Sequence, residues 1–367
     1  MLMIRFLLAT LLFLGVGLTL SAQQNKTAGI REGKLNASER KHIFETLVQK
    51  VNDYYVYPDV AHKITDALLR NYAHHDYDTI TDAANFARQL TSHLQAISKD
   101  GHLGVDYSAK PNSNHQDPKA PSDDDITRFR LSGALNNYNF RKVERLDGNI
   151  GLLQLDAFYP ADWIKEIAAG AMSFLVNADA IIIDLRSNHG FAPDGVLLIE
   201  SYFFKEETHM TDQIDRDAKS TRQYWTLPTV PGPNLAGKEL YILTSRNTFS
   251  APEDFTYNMQ AQGRAKVIGE TTGGGAHGTK PYRIGTHFTA SIPFTYSVNP
   301  ITHSDWEGTG VKPDVNVPAS QALLTAHVAA IRTLIKRIPT ETERITELKK
   351  IIEQKEQELN TLKSKVN

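Results

Sequence analysis

A chain of 367 residues with 42 acidic and 40 basic side chains carries a formal charge of −2, so it offers neither nucleic acid nor an anionic membrane a basic field to bind. It contains no cysteine, which excludes disulfides, thiolate metal sites and a cysteine nucleophile. The length and a hydrophobic fraction of 41% allow one large domain or two small ones with ample core.

Residues 1–22 stand apart. Arg5 precedes an apolar run from Phe6 to Leu20, and Ser21-Ala22 offers small residues for cleavage before the polar Gln23-Gln-Asn25. This is the pattern of a secretory signal peptide, and it predicts export to the periplasm or the exterior. Membrane attachment is expected only if the segment stays uncleaved. Residues 23–37 read as a polar linker. A helix opens at Ser38, with Ile43, Leu47, Val48 and Val51 on one face, and Tyr54-Tyr-Val-Tyr-Pro58 ends it. A second helix over about 60–72 carries Ile64, Leu68 and Leu69. A third over about 83–97 carries Phe86, Leu90, Leu94 and Ile97. Residues 38–107 therefore form a small helical subdomain. Its last helix leaves through Lys99-Asp-Gly-His102-Leu-Gly104 into a strand. His102 thus sits at a junction, where functional side chains concentrate.

Residues 108–126 are rich in Pro, Asn, Ser and Asp and read as a loop, with Asp123-Asp-Asp125 a solvated charge run. The core is expected over 127–320. Strand patterns cover Phe140–Arg145, Ile150–Leu155, Ala180–Asp184, Leu240–Thr244, Lys266–Gly269 and Phe288–Phe294. Helical ones cover Trp163–Val176 and Val196–Phe204. Alternation of the two predicts an α/β sheet with its site at strand ends. Asp212–Arg222 reads as a charged loop or hairpin. Over 321–367, Leu323–Ile335 is amphipathic. Ile345, Leu348, Ile352, Leu359, Leu362 and Val366 then fall on a heptad seam broken by Lys355. That seam suits a short coiled coil, and with it a homo-oligomer, or a single solvated helix.

The most informative stretch is Leu240–His277. The run Leu240–Leu243 reads as a buried strand, and the pattern after Ser250, with Pro252 and Glu253 in its first turn, reads as a helix. Ser250 therefore marks a strand-to-helix turn. Such a place suits a nucleophile whose following N–H stabilises an oxyanion. It equally suits an ordinary helix N-cap.

Four motifs add weight. Ser98-Lys-Asp-Gly-His-Leu-Gly104, Asp184-Leu-Arg-Ser-Asn-His-Gly190, Thr248-Phe-Ser-Ala-Pro-Glu-Asp-Phe255 with Gly269-Glu-Thr-Thr-Gly-Gly-Gly-Ala276, and Trp306-Glu-Gly-Thr-Gly-Val-Lys-Pro-Asp314 resemble, in this order along residues 40–320, the tail-specific protease superfamily. That superfamily includes the C-terminal-processing peptidases, the tricorn core and the interphotoreceptor retinoid-binding modules. The resemblance implies a crotonase-like βα core with an N-terminal helical subdomain and a C-terminal helical tail. The space from His102 to Ile150 is too short for the PDZ domain many relatives insert. The resemblance also implies an exported serine peptidase acting on peptide or protein substrates without a cofactor or metal.

Within that family one branch places a lysine about 25 residues after the serine. Here that position is Gly275. The tricorn-like branch draws a histidine from upstream and a glutamate from beyond the glycine loop, and His102 and Glu307 match those places. The resemblance thus implies a triad of Ser250, His102 and Glu307, with Asp305 as the neighbouring competitor for the acid. Its oxyanion hole would use the N–H of Ala251 and an N–H near Gly190, where relatives show two glycines and this chain has Gly190-Phe191. Glu270 and the pair Asp184–Arg186 are read as structural. Two rival readings share the fold: a binding module for apolar ligands, and an esterase. Gly273–Gly278 lacks the Gly-Lys-Ser/Thr ending of a phosphate loop. His74, His75, His277 and His303 make no recognisable metal set.

Overall fold

The structure, a computed structural model, describes residues 33–112, 122–190 and 192–366. The predicted signal segment lies outside the described residues. The chain divides into two compact units. One takes in the chain up to Ile126, Ile214–Ser220 and His277–Tyr296. The other takes in Thr127–Gln213, Thr221–Ala276 and the chain from Ser297 onward.

The first unit starts with three helices, α1 (Ala37–Tyr54), α2 (Pro58–Ala73) and α3 (Ala83–Ser98). Each begins where its sequence says it should. Asn36 accepts the N–H of Glu39 at 3.0 Å while Glu39 accepts that of Asn36 at 2.8 Å, a reciprocal cap for α1. Pro58 opens α2, where its missing N–H is harmless. Asp82 caps α3. Apolar residues at helical spacing, among them Phe44, Leu47, Val51, Ile64, Leu68, Phe86, Leu90 and Leu94, form one buried cluster. Leu69, predicted on the inner face of α2, is exposed.

The helices pack on an antiparallel sheet made of β1 (Gly104–Tyr107), β9 (His277–Gly285) and β10 (Phe288–Val298), with β10 between the other two. Tyr282, Ile284, Phe288, Ala290 and Ile292 complete the cluster. The sequence pattern announces β10 as a strand. Its pairing with β1, far upstream, is a tertiary outcome that periodicity does not encode.

The chain passes from the first unit to the second within α4 (Asp123–Leu135), which begins where the sequence predicts a loop up to residue 126. Ser122 explains the difference: its hydroxyl accepts the N–H of Asp125 at 3.1 Å and donates to that carboxylate, so the acidic run is a helix first turn. A six-stranded sheet follows, in the order β11-β8-β7-β4-β3-β2. Its strands are β2 (Phe140–Leu146), β3 (Ile150–Leu155), β4 (Ala180–Asp184), β7 (Glu239–Thr244), β8 (Lys266–Gly269) and β11 (Val315–Asn316). Only β2 runs antiparallel to its neighbour.

The continuous apolar runs of β4 and β7 suit central strands buried on both faces. Helices α5 (Ala161–Leu175) and α7 (Ala251–Ala261) touch the sheet, and α6 (Pro193–Ser201) packs against both. Ile150, Ile182, Leu243 and Ile268 point into a cluster with Ala326, Ala330 and Ile331 of α8 (Ala319–Arg337). The predicted charged hairpin is present as β5 (His209–Asp215) and β6 (Ser220–Trp225).

The last helix, α9 (Thr342–Val366), lies against α8. Leu348 is buried in the core, with Ile351 and Ile352 packed beside it. Leu348 and Ile352 of the predicted heptad seam thus pack within the chain's own core.

Candidate active site

Parallel β4 and β7 are neighbours, so the loops leaving their C-terminal ends emerge side by side. Those loops are laced together. The Thr248 hydroxyl donates to the Leu185 carbonyl at 2.9 Å, the Ser245 hydroxyl to the Arg186 carbonyl at 2.6 Å, and the Phe249 N–H to the Asn188 carbonyl at 3.3 Å. Below them Arg186 holds Asp184 through two bonds, at 2.8 and 2.6 Å, and reaches the Ala319 carbonyl, a structural pair as the sequence implies. Glu270 also ties loops: it accepts the Arg246 N–H at 3.3 Å.

Ser250 ends this lattice. Its φ of 71° and ψ of −120° lie in a region that L-residues other than glycine rarely adopt, and holding a side chain there costs on the order of 1–3 kcal/mol. The turn swings directly into α7, presenting the hydroxyl at the head of the helix. Gly190 sits against it. A Cβ built on Gly190 would meet the Ser250 Cβ at 3.2 Å and its Oγ at 3.5 Å. Only glycine leaves that space open.

The predicted oxyanion donors are distributed around this turn. Ala251 supplies the first N–H of α7, one that has no acceptor within its helix. The Gly190 N–H donates to Asn188 Oδ1 at 3.1 Å, and the Asn188 amide donates to the Leu155 carbonyl at 2.9 Å. Phe191 lies outside the described residues.

The glycine-rich loop after β8 is bound by two carboxylates. The buried Glu253 accepts the Ser250 N–H at 2.8 Å, the Gly274 N–H at 2.7 Å, the Gly275 N–H at 2.8 Å and the Thr272 hydroxyl at 2.5 Å. The Ala276 N–H donates to Glu307 Oε2 at 2.6 Å. Three consecutive N–H groups therefore cradle anions, and the anions are the chain's own side chains. The segment carrying Glu307 closes on the same loop. Trp306 Nε1 donates to the Gly275 carbonyl at 2.8 Å and Val311 N–H to the Thr272 hydroxyl at 2.7 Å. Asp305, the competing acid, instead accepts the Glu307 N–H at 2.8 Å. Burial raises the Glu253 carboxyl above its ordinary value, while the Thr272 hydroxyl and the three N–H donors pull it back.

Beneath Ser250, Asp254 and Glu200 form a second acidic feature. The Asn258 amide donates to both, at 3.0 Å to Asp254 and 3.2 Å to Glu200. Burial raises Asp254 to about 7 and Glu200 well above the carboxylate range, the Asp254 charge adding to the latter.

His102 belongs to the first unit. Lys99, in the left-handed conformation, ends α3 and starts the turn that carries it. Its N–H donates to Asp100 Oδ1 at 2.9 Å. Asp100 Oδ2 accepts from His277 Nδ1 at 2.7 Å and from the Tyr55 hydroxyl at 3.1 Å. Burial holds the His102 imidazole down to about 4, Asp100 pulling it up and His277 pushing it down. Of the five residues predicted from sequence, Ser250, Ala251, Gly190 and Glu307 belong to the second unit and His102 to the first.

Two family models match this chain. One, peptidase family S41, covers residues 149–317; the other, the N-terminal domain of peptidase S41 in eukaryotic IRBP, covers 36–131. The chain belongs to peptidase family S41. Among solved structures it is similar to a proposed peptidase from Parabacteroides merdae, at 17% identity and a TM-score of 0.53, over 76% of this chain and 90% of that one. It is similar also to a lipoprotein from Streptococcus agalactiae, at 12% identity and a TM-score of 0.50, over 81% of this chain and 97% of that one. At these identities the likeness speaks for the fold. The mixed α/β core with helices at both ends is that of the S41 peptidases.

Sequence reasoning did not single out Glu253 and Asn188 around Ser250, nor Asp100 and His277 around His102. A signal existed for the first: Ser250 and Glu253 stand at capping-box spacing. Asp100 lay inside a quoted motif two residues before His102, a spacing at which an aspartate reaches a following N–H. Nothing local marks His277 as its partner, since the two are 177 positions apart.

Proposed function

We propose that this S41 chain is an exported serine peptidase that cleaves peptide or protein substrates through an acyl-enzyme. Ser250 Oγ attacks the scissile carbonyl, and His102 takes its proton and returns it to the leaving amine. Glu307 orients and stabilises the imidazolium, and the oxyanion is received by the N–H of Ala251 and by that of Gly190, which exchanges its bond to Asn188 Oδ1 for the oxyanion. Water then attacks the acyl-enzyme by the reverse proton path and frees Ser250.

The observation that carries the reading is the conformation of Ser250. A serine held at φ 71° at the end of a sheet strand, with glycine packed on its Oγ side and a buried carboxylate gripping its N–H, is over-determined for a mere helix cap. Two further features support it. Burial keeps the His102 imidazole neutral at ordinary pH, the form a base requires. Glu307 is fastened to the same glycine loop that Glu253 fastens to Ser250.

The test is covalent labelling of the purified mature protein with a fluorophosphonate probe. Labelling is expected in the native chain, absent in Ser250→Ala and strongly reduced in His102→Ala and Glu307→Gln. A well-folded native chain that does not label, and that instead binds apolar ligands, overturns the peptidase reading.

A further inference from the structure

Asp100 is a junction of three donors within the first unit. One oxygen accepts the His102 N–H at 2.9 Å. The other accepts from His277 Nδ1 at 2.7 Å and from the Tyr55 hydroxyl at 3.1 Å. The Asp100 and His277 side chains are each 1% exposed, and the Tyr57 ring meets the imidazole edge-on with centroids 5.5 Å apart. Burying an ion-forming pair this completely is costly unless geometry and hydrogen bonds repay the lost water. An aspartate capping the Lys99–His102 turn alone would do so equally well in solvent. Asp100 is an acceptor for both histidines, which fixes His277 as the Nδ1–H tautomer.

The position of His277 in the chain is equally specific. It directly follows Ala276. Gly274 and Gly275 give their N–H groups to Glu253, Ala276 gives its own to Glu307, and His277 gives its ring N–H to Asp100. Four successive residues thus each donate to a carboxylate.

We infer that Asp100 and His277 are positioning residues for His102: the carboxylate fixes the His102 backbone and His277 fixes the carboxylate. This rests on the reading of Ser250 and His102 as nucleophile and base. Neither residue transfers the proton. Together they set the placement of His102, and an error of about 1 Å in the placement of a base costs on the order of a hundredfold in rate.

Two amides of suitable size separate this role from simple space-filling. Asparagine carries its amide nitrogen where the ring has Nδ1, glutamine where it has Nε2. His277→Asn therefore keeps the donor to Asp100, and His277→Gln loses it. Both are compared with native protein by the rate of fluorophosphonate labelling as a function of probe concentration, after thermal melts establish that each variant is folded. The expected result is that His277→Gln and Asp100→Asn lose about tenfold to a hundredfold in the limiting labelling rate, with the half-saturating probe concentration unchanged. His277→Asn is expected to stay within about threefold of native. Equal rates for His277→Gln and native protein overturn the inference, as does a loss confined to half-saturation. If His102→Ala labels as native protein does, the underlying base assignment fails. If in that case His277→Gln is dead, the base is His277 itself.

Discussion

Glu253 Oε2 accepts the Ser250 N–H at 2.8 Å, and the same carboxylate holds Gly274, Gly275 and Thr272. The Ser250 turn and the glycine loop are therefore tied through one carboxylate. The Ser250 N–H is spent on that tie, which leaves the N–H of Ala251 as the helix-side donor of the proposed oxyanion hole.

Glu253→Gln tests that arrangement. The carboxylate faces donors on both oxygens, whereas a glutamine has one oxygen and one NH2. Placed toward Ser250 and Gly275 the NH2 confronts two N–H donors; placed on the other side it confronts the Gly274 N–H and the Thr272 hydroxyl, which can turn to accept. At least one buried donor is left unmatched, at a cost of roughly 1–3 kcal/mol. The variant is expected to unfold at clearly lower urea concentration and to label at least about tenfold more slowly. A urea midpoint equal to that of native protein would show that the network contributes nothing.

The strain at Ser250 predicts an ordering of variants. Alanine keeps a Cβ at φ 71° and ψ −120°, and glycine does not. Relief of that strain, on the order of 1–3 kcal/mol, is partly offset by the extra freedom glycine gives the unfolded chain, about 0.4–1 kcal/mol. Ser250→Gly is therefore expected to be more stable than Ser250→Ala by about 1 kcal/mol, though neither labels. Urea denaturation of the two side by side measures the difference. A glycine variant less stable than the alanine one contradicts a strained turn.

Much of this architecture was legible in the sequence. Helical periodicity placed α1, α2 and α3, and continuous apolar runs placed β4 and β7, because local propensity and burial agree there. The loop predicted over 108–126 ended early because Ser122 caps a helix that weak periodicity hid. For the proposed site, the strand-to-helix pattern pointed to Ser250, and the family resemblance to His102 and Glu307. Asp100 with His277, and Glu253 with Gly274 and Gly275, form through pairings far apart in sequence. Only the second of these carried a local mark, the spacing from Ser250 to Glu253. A buried carboxylate declares itself through its donors, and donors from loops have no period to read.

The His102 imidazole is held down to about 4 by burial. A base must be neutral to accept the serine proton, and the neutral form persists at every pH above that value. The labelling rate of free enzyme is therefore expected to rise with pH through about 4 and to be flat across 6.5, where an unburied histidine titrates. Asp100→Asn removes the charge that favours the protonated ring, so the midpoint should move lower still. A midpoint near 6.5 in native protein would mean that the working base is solvated, and would argue against buried His102.

The pair Glu200–Asp254 gives a stability prediction of opposite sign. Asp254 is raised from 3.8 to about 7 and Glu200 is raised well above its ordinary value. Between about 4 and about 7 the folded chain holds a proton that the unfolded chain has released. Stability from the pair is thus complete below that window and lost as pH rises through it. The groups around the pair are the Asn258 amide, which donates to both, Asn299, which donates to Asn258 Oδ1, and Tyr224, which feels Asp254, Asp194 and Arg222. None of these supplies a positive charge in contact with Glu200. Glu200→Gln removes one of the two repelling carboxyls while keeping the shape and an acceptor for Asn258. Its melting temperature relative to native protein is expected to be higher at pH 8 than at pH 5, the gain growing through the window in which Asp254 ionises. If the difference between variant and native protein is the same at both values, the two carboxyls do not share their proton. In that case Asp254, one turn below Ser250, would carry its charge unopposed in the folded state.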